Sequence, residues 1–124
     1  VGIKLAQPDR PVVCVIGDGS VMYSVQALWS AVQERAPVLF LVLNNRAYNI
    51  LKSFAKAFYP GTETGLQGMD VPHLDLVALA RGMGAHAERI ETPEALEETL
   101  PRALQADHPI LLDVWIDPTI PSLF

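Results

Sequence analysis

Two polar turns carry the chemistry this sequence could do. Residues 12–16 (VVCVI) run into Gly17-Asp18-Gly19, and residues 38–43 (VLFLVL) run into Asn44-Asn45. An aspartate between two glycines has a plain reading, because Asp-Gly is a strong hairpin signal. A hairpin needs a second strand, however, and the period after Gly19 is helical: Val25, Leu28, Trp29 and Val32 fall at i, i+3, i+4 and i+7. The alternative is a strand-to-helix turn at the carboxyl end of a buried strand, where open α/β sheets bind ligands and a helix N-terminus favours anions. An aspartate carboxylate, an asparagine side-chain oxygen and a loop carbonyl make a hard, all-oxygen set suited to Mg²⁺ completed by phosphate oxygens and water. Asparagine pairs also mark ordinary turns. The two turns form one site only if their strands are neighbours, about 4.8 Å apart.

The elements that must position these turns can be read from period and punctuation. The unbroken β-branched run 12–16 predicts a strand buried on both faces, followed by a helix over roughly 22–35 that Pro37 closes. Residues 38–43 predict a second buried strand, and Ile50, Leu51, Phe54, Ala55 and Phe58 repeat at helical spacing after the loop NNRAY. Residues 59–73 form a long loop, a kind that tends to be functional or mobile. Asp75 is placed to cap a helix carrying Leu76, Leu79, Ala80 and Met83, and residues 84–90 (GAHAERI) read as a strand. Thr92 as N-cap with Pro93 at the first helical position starts another helix. Its Leu96, Leu100, Ala103 and Leu104 turn inward, and Pro101 is expected to kink or split it by removing a backbone donor. Residues 109–116 (PILLDVWI) form the last strand and 117–124 a tail. Strands alternating with helices predict an α/β fold: a three-layer parallel sheet with helices on both faces and right-handed crossovers.

Composition bounds the function classes. At 124 residues, 50% apolar and 19% charged, the chain is about one folded domain. Its net charge of −5, without a basic run, gives no electrostatic footprint for nucleic acid. An anionic ligand therefore needs a bound cation or backbone dipoles. The single cysteine, Cys14, lies in an apolar run and reads as a small buried hydrophobe; a chain without a disulfide framework is expected in the cytoplasm. No apolar run approaches the ~20 residues of a membrane helix, so no membrane partner is expected. Glu91, Glu94, Glu97 and Glu98 read as the solvated face of one helix, and His73, His86 and His108 do not fall at metal-ligand spacing. The opening VGIKLAQPDRP reads like the end of a helix, so the chain is expected to be a piece of something longer.

Gly-Asp-Gly, then 24 residues, then Asn-Asn has the spacing of the thiamine-diphosphate motif. The chain resembles the C-terminal, diphosphate-binding domain of thiamine-diphosphate-dependent decarboxylases. The stretches RPVVCVIGDGSVMYSVQALWSAVQ, VLNNRAYNILKSFA and GMDVPHLDLVALARGMG are most similar to the benzoylformate decarboxylases, and the likeness runs over nearly all of the chain. The resemblance implies a thiamine-diphosphate-binding fold, partial and truncated at its N-terminal side, with residues 1–124 the C-terminal domain of a longer multi-domain enzyme. It implies the cofactors thiamine diphosphate and Mg²⁺, the metal held by the side chains of Asp18 and Asn45 and the carbonyl of Ala47. Gly17, Asp18, Gly19, Ser20 and Asn45 would surround the diphosphate, with Tyr23 and Tyr48 as phenolic donors. Leu51 and Phe54 would face the thiazolium and the substrate.

Blander readings stand beside these. Ser20 can be a plain helix N-cap, Tyr23 and Tyr48 half-buried aromatics, and Leu51 and Phe54 part of a core stripe. Arg46 departs from the small residue expected after the asparagines. The implied reaction is a lyase reaction in which a 2-oxo acid loses carbon dioxide and the cofactor acts as electron sink. The groups that activate the aminopyrimidine and move protons are expected outside this chain, on a missing pyrimidine-binding domain. The active site is expected between subunits of a homo-oligomer, so this chain alone should be inactive. The alternatives are another thiamine-diphosphate enzyme, of acetolactate synthase or 2-hydroxyacyl-CoA lyase type, or a flavodoxin-like phosphate-binding module with no chemistry of its own.

Overall fold

The computed structural model describes residues 1–59, 61 and 66–119. After a short helix α1 (Gly2–Ala6), the chain runs β1 (Val13–Gly17), α2 (Asp18–Val21), α3 (Ala27–Gln33), β2 (Leu39–Asn44) and α4 (Asn49–Phe58). It continues through α5 (Leu76–Gly82), β3 (His86–Ile90), α6 (Pro93–Leu104) and β4 (Ile110–Trp115). The four strands form one parallel sheet in the order β1-β2-β4-β3. Helices α3 and α5 bury Leu28, Ala31, Leu76 and Ala80 against Phe40, Val42 and Leu111 on one face. On the other face α6 packs Ala103 against Leu39, Ile90, Leu112 and Val114. The three-layer α/β architecture is as the alternation of elements predicts.

The register brings the strand ends level. Gly17 pairs with Leu43, and Asn44 with Trp115. Since β1 and β2 are hydrogen-bonded neighbours, the two polar turns open at one end of the sheet, the carboxyl end.

Three local expectations change. The strand β1 is not buried on both faces: Cys14 and Ile16 pack on the core, whereas Val13 and Val15 are 43% and 60% exposed. The cause is its place at the sheet edge, because the apolar cluster under α6 draws on β2, β4 and β3 and includes no β1 residue. Of the helix expected over roughly 22–35, only Ala27–Gln33 (α3) is α-helical, and a separate single turn, α2, precedes it at Asp18–Val21. Between them Tyr23, Ser24 and Ala27 donate their N–H groups three residues back, to Ser20, Val21 and Ser24. This tighter winding aligns residues three apart, so Leu28 follows Val25 inward and Trp29 is left 53% exposed. Pro101 does not split α6. It lies on the exposed side of that helix, where water can satisfy the Glu97 carbonyl that lacks a donor. Of the two readings of the α4 stripe, the core one does not hold: Ile50, Leu51, Phe54 and Phe58 are exposed, while Asn49 and Ser53 are buried.

The two expected caps are present, Asp75 accepting from the Ala78 N–H at 3.0 Å and Thr92 from the Ala95 N–H at 3.2 Å. Of the long loop 59–73, residues 60 and 62–65 lie outside the described residues, as do 120–124 of the tail. The returning end of the loop pairs with the second polar turn through an antiparallel bridge between Ala47 and Asp70. Among the described residues no helix is long and apolar enough to cross a membrane.

Candidate functional site

The strand β1 ends at Gly17, and Asp18 is the first residue of the single helical turn α2. Asp18 is buried, 5% exposed, and its Oδ1 accepts from the Gly19 N–H at 2.8 Å. Its Oδ2 has no hydrogen-bond partner, the sole such case among buried side-chain polar atoms of the described residues. An unpaired buried carboxylate oxygen is costly, on the order of 1–3 kcal/mol or more. It marks a place where a cation or donor belongs.

Across from it, β2 ends at Asn44 and the chain turns through Asn45, Arg46 and Ala47. The Asn45 Oδ1 accepts from the Ala47 N–H at 3.1 Å, which folds the turn so that Asn45 and Ala47 border the same cleft as Asp18. That cleft, about 230 Å³, is also lined by Gly17, Gly19, Ser20 and Tyr48. The Tyr48 ring lies against Gly19, its hydroxyl donating to the Gly19 carbonyl at 3.4 Å. A Cβ on Gly19 would come within 2.3 Å of the ring, so the glycine is required by close approach. The donor set is oxygen-rich and carries one carboxylate, a composition that suits a hard divalent ion finished by phosphate and water.

The structure thus brings together Gly17, Asp18, Gly19, Ser20, Asn45, Ala47 and Tyr48. It does not bring Tyr23 there: that side chain is 80% exposed and does not line the cleft. Leu51 and Phe54 line a separate cavity of about 550 Å³ with Phe58, Tyr59 and Met69 along the outer side of α4. Phe54 and Phe58 stack there with ring centroids 5.9 Å apart. A third cavity, about 580 Å³, lies toward the amino ends of β3 and β4 under α6, where the His86 and His108 rings meet at 3.9 Å. It is remote from the polar turns.

The loop that carries the second turn is tied down from outside. Tyr48 N–H donates to the Met69 carbonyl at 2.8 Å and Val71 N–H to the Arg46 carbonyl at 2.9 Å. Lys52 forms an ion pair with Asp70. At the far end of the same region, Asn49 Nδ2 donates to the Pro118 carbonyl at 2.9 Å. Arg46 has φ +63, a left-handed conformation that costs an L residue about 1–2 kcal/mol. Its guanidinium lies 4.8 Å from the centre of the Trp115 ring.

Two residues of this region were not among the sequence candidates in the roles they take. Asn44 does not line the cleft; it points back into the sheet, its Nδ2 donating to Asp113 Oδ1 at 2.7 Å. Asp113 is fully buried. The sequence signal that could have found it is an acid in the middle of an otherwise apolar buried strand, PILLDVWI, since a buried charge calls for partners.

Comparison with known proteins places these features in context. The family model described as "Thiamine pyrophosphate enzyme, C-terminal TPP binding domain" matches residues 1–114. A benzoylformate decarboxylase of Pseudomonas aeruginosa is 47% identical over 114 residues, 92% of this chain and 21% of the relative. The acetolactate synthase isozyme 3 large subunit of Escherichia coli is 35% identical over 120 residues, 94% of this chain and 21% of that protein. Among solved structures, a thiamine diphosphate-dependent 4-hydroxybenzoylformate decarboxylase of Rhodococcus jostii superposes with a TM-score of 0.86 at 40% identity, covering 98% of this chain and 22% of that one. The benzoylformate decarboxylase of Polynucleobacter necessarius gives a TM-score of 0.87 at 33% identity, with the same coverage, 98% and 22%. The chain therefore spans about a fifth of the length of these relatives.

Proposed function

Because this chain belongs to the thiamine pyrophosphate enzyme family, as its C-terminal TPP-binding domain, we propose that it is the diphosphate- and Mg²⁺-binding part of a 2-oxo acid decarboxylase, most like benzoylformate decarboxylase. The observation that carries the reading is the buried Asp18 Oδ2, without a partner, on a residue that lines a cleft shared with Asn45 and Ala47. Asp18 and Asn45 hold the metal through side-chain oxygens and Ala47 through its carbonyl. Gly17, Gly19 and Ser20 supply a wall without bulk against the diphosphate, and Tyr48 closes one side of it with its phenol. In a chain of net charge −5, a bound cation would offset the charge of the diphosphate.

When bound, thiamine diphosphate supplies the electron sink for loss of carbon dioxide from the 2-oxo acid. This chain's own part is to orient and to neutralise charge. Leu51 and Phe54, on the exposed stripe of α4, face the substrate side. An aromatic 2-oxo acid suits a wall built from Leu51, Phe54 and Phe58, and the benzoylformate and 4-hydroxybenzoylformate decarboxylases among the relatives support that class. Residues 1–124 then form the C-terminal domain of a multi-domain enzyme whose remaining domains, the pyrimidine-binding one included, carry the proton-transfer groups. The outward stripe Ile50, Leu51, Phe54 and Phe58 is covered in that assembly, by another domain or a second subunit. A second reading, an acetolactate-forming enzyme, is supported by the 35% identity to the Escherichia coli synthase subunit.

Calorimetry of the full-length protein tests the cofactor assignment. Asp18→Ala should lower the affinity for thiamine diphosphate in the presence of Mg²⁺ by at least about 100-fold, with the far-ultraviolet spectrum of the fold retained. Equal affinity with and without the carboxylate overturns the metal assignment. Assay of the same protein with benzoylformate against pyruvate separates the two readings, benzaldehyde supporting the decarboxylase and acetolactate the synthase.

A further inference from the structure

The fully buried Asp113 is an acid for which the cleft itself has no use: it lies on β4, outside the cavity that holds Asp18, Asn45 and Ala47. Both of its oxygens are engaged. Oδ1 accepts from Asn44 Nδ2 at 2.7 Å, and Oδ2 accepts from Arg89 Nε and from Trp115 Nε1, each at 3.3 Å. Arg89 also reaches Asp75, the cap of α5, at 3.5 Å, and its guanidinium lies 4.8 Å from the centre of the Trp115 ring. The strand register supplies these partners, for Arg89 pairs with Asp113 across β3–β4 and Asn44 with Trp115 across β2–β4.

The consequence runs through Asn44. A primary amide presents two donors on one side and an acceptor on the other, and only its surroundings decide which way it points. Asp113 offers only acceptors to Asn44 Nδ2, so the amide oxygen is forced to the opposite side. There it accepts from the Arg46 N–H at 3.0 Å. That bond bends the chain at Asn45 and holds Arg46 in its left-handed conformation, with φ +63. Arg46 then lies against the Trp115 ring, whose own N–H is fixed by the same carboxylate. Asn45 and Ala47, the two cleft residues of this turn, flank Arg46 on either side.

We propose that Asp113 is a positioning residue for the cation and diphosphate cleft, acting through the orientation of the Asn44 amide on the turn 44–47. The proposal rests on the reading of that cleft as a cofactor site and adds a residue that does not itself touch it. The adjacent asparagines divide the work: Asn45 faces the cleft, and Asn44 serves as the link between the turn and a buried charge on β4.

A polarity exchange tests it in the full-length protein. In Asp113→Asn, the incoming amide must satisfy Arg89 and Trp115 with its oxygen, which sets its NH₂ against the NH₂ of Asn44. In Asn44→Asp, two carboxylates confront each other. The double variant restores every pair with the roles reversed. The amide oxygen introduced at position 113 accepts from Arg89 and Trp115, and its NH₂ donates to the carboxylate introduced at position 44. That carboxylate still accepts from the Arg46 N–H. Calorimetric titration with thiamine diphosphate and Mg²⁺ should show each single variant weakened by about tenfold or more, and the double variant within about threefold of the parent. Circular dichroism and melting temperature read the fold separately. Asp18→Ala serves as the reference: if it leaves binding unchanged, the cofactor reading fails, whereas if it abolishes binding and the exchange shows no coupling, only the role of Asp113 fails. A single variant that does not fold leaves the double variant to decide, because failure of the exchange to recover both folding and affinity overturns the proposal.

Discussion

Tyr48 seals one side of the cleft by lying on Gly19, close enough that a Cβ there would meet its Cε1 at 2.3 Å and its Cζ at 2.7 Å. Gly19→Ala therefore has to displace the ring and with it the hydroxyl that donates to the Gly19 carbonyl. The expected cost is about 1–3 kcal/mol, as for other insertions into a packed contact. In a Tyr48→Ala background the same change should cost only a few tenths of a kcal/mol, roughly the limit of additivity for independent sites. Urea unfolding of the four proteins checks this; equal costs in both backgrounds would show that something other than the ring fills the space.

Asp18 is a residue whose stability and function pull apart. Its unpaired buried Oδ2 disfavours the folded state in the absence of a cation. Asp18→Asn keeps an acceptor for the Gly19 N–H and removes the buried charge, so the variant in chelator should be as stable as the parent or more stable by about 1 kcal/mol. Addition of Mg²⁺ and thiamine diphosphate should raise the melting temperature of the parent and leave that of the variant unchanged. Thermal melts with and without chelator read both effects.

Arg46 combines a conformational cost with a compensating contact. Arg46→Gly relieves the left-handed φ and loses the approach to Trp115, two terms of about 1 kcal/mol each that nearly cancel. Arg46→Ala loses the contact and keeps the cost. The glycine variant should therefore be the more stable of the two by about 1 kcal/mol, measurable as a difference in denaturant midpoint.

Asp107 carries the pH signature of the far end of the sheet. The hydrogen bond from His108, at 2.8 Å, followed by a bond to its own backbone and the charge of His108, holds this exposed carboxyl below its ordinary value of 3.8. A lowered carboxyl pKa in the folded state favours folding above the unfolded value, and that contribution is lost as pH falls through the lowered pKa. The effect therefore belongs to acid, below about pH 4. His108→Ala should move the Asp107 titration upward toward 3.8, as followed by carboxyl carbon NMR; an unmoved titration would assign the shift to the backbone alone.

The parts of this fold that the sequence discloses are those decided locally. The run VLFLVL can be little other than a strand buried on both faces, and the Asp75 and Thr92 caps follow from side chains that reach their own helix N–H groups three residues on. The position of a strand in the sheet is not local. VVCVI resembles VLFLVL in its apolar character, yet Val15 ends 60% exposed because β1 lies at the edge. The phase of α4 is hidden for a similar reason: its apolar stripe has helical spacing whichever side is covered, and here Asn49 and Ser53 are on the buried side. In the cleft, the convergence of Asp18, Asn45 and Ala47 is readable from two polar turns at the ends of successive strands. The separate duties of Asn44 and Asn45 are not, since they depend on Asp113, 69 residues further along the chain. Tyr23, three residues beyond Ser20, shares only its residue type with Tyr48; the i→i+3 turns after α2 carry it outward.

The attachment of Met69, Asp70 and Val71 to the turn 46–48 has a consequence for any exchange of loops between this chain and its relatives. Those three residues clasp the cleft by backbone bonds on both sides and by the Lys52–Asp70 ion pair. A chimera that imports a foreign loop but ends the graft before Met69 leaves the clasp in place. One that runs through Val71 also replaces the backbone partners of Arg46 and Tyr48, and its altered behaviour would report on those bonds.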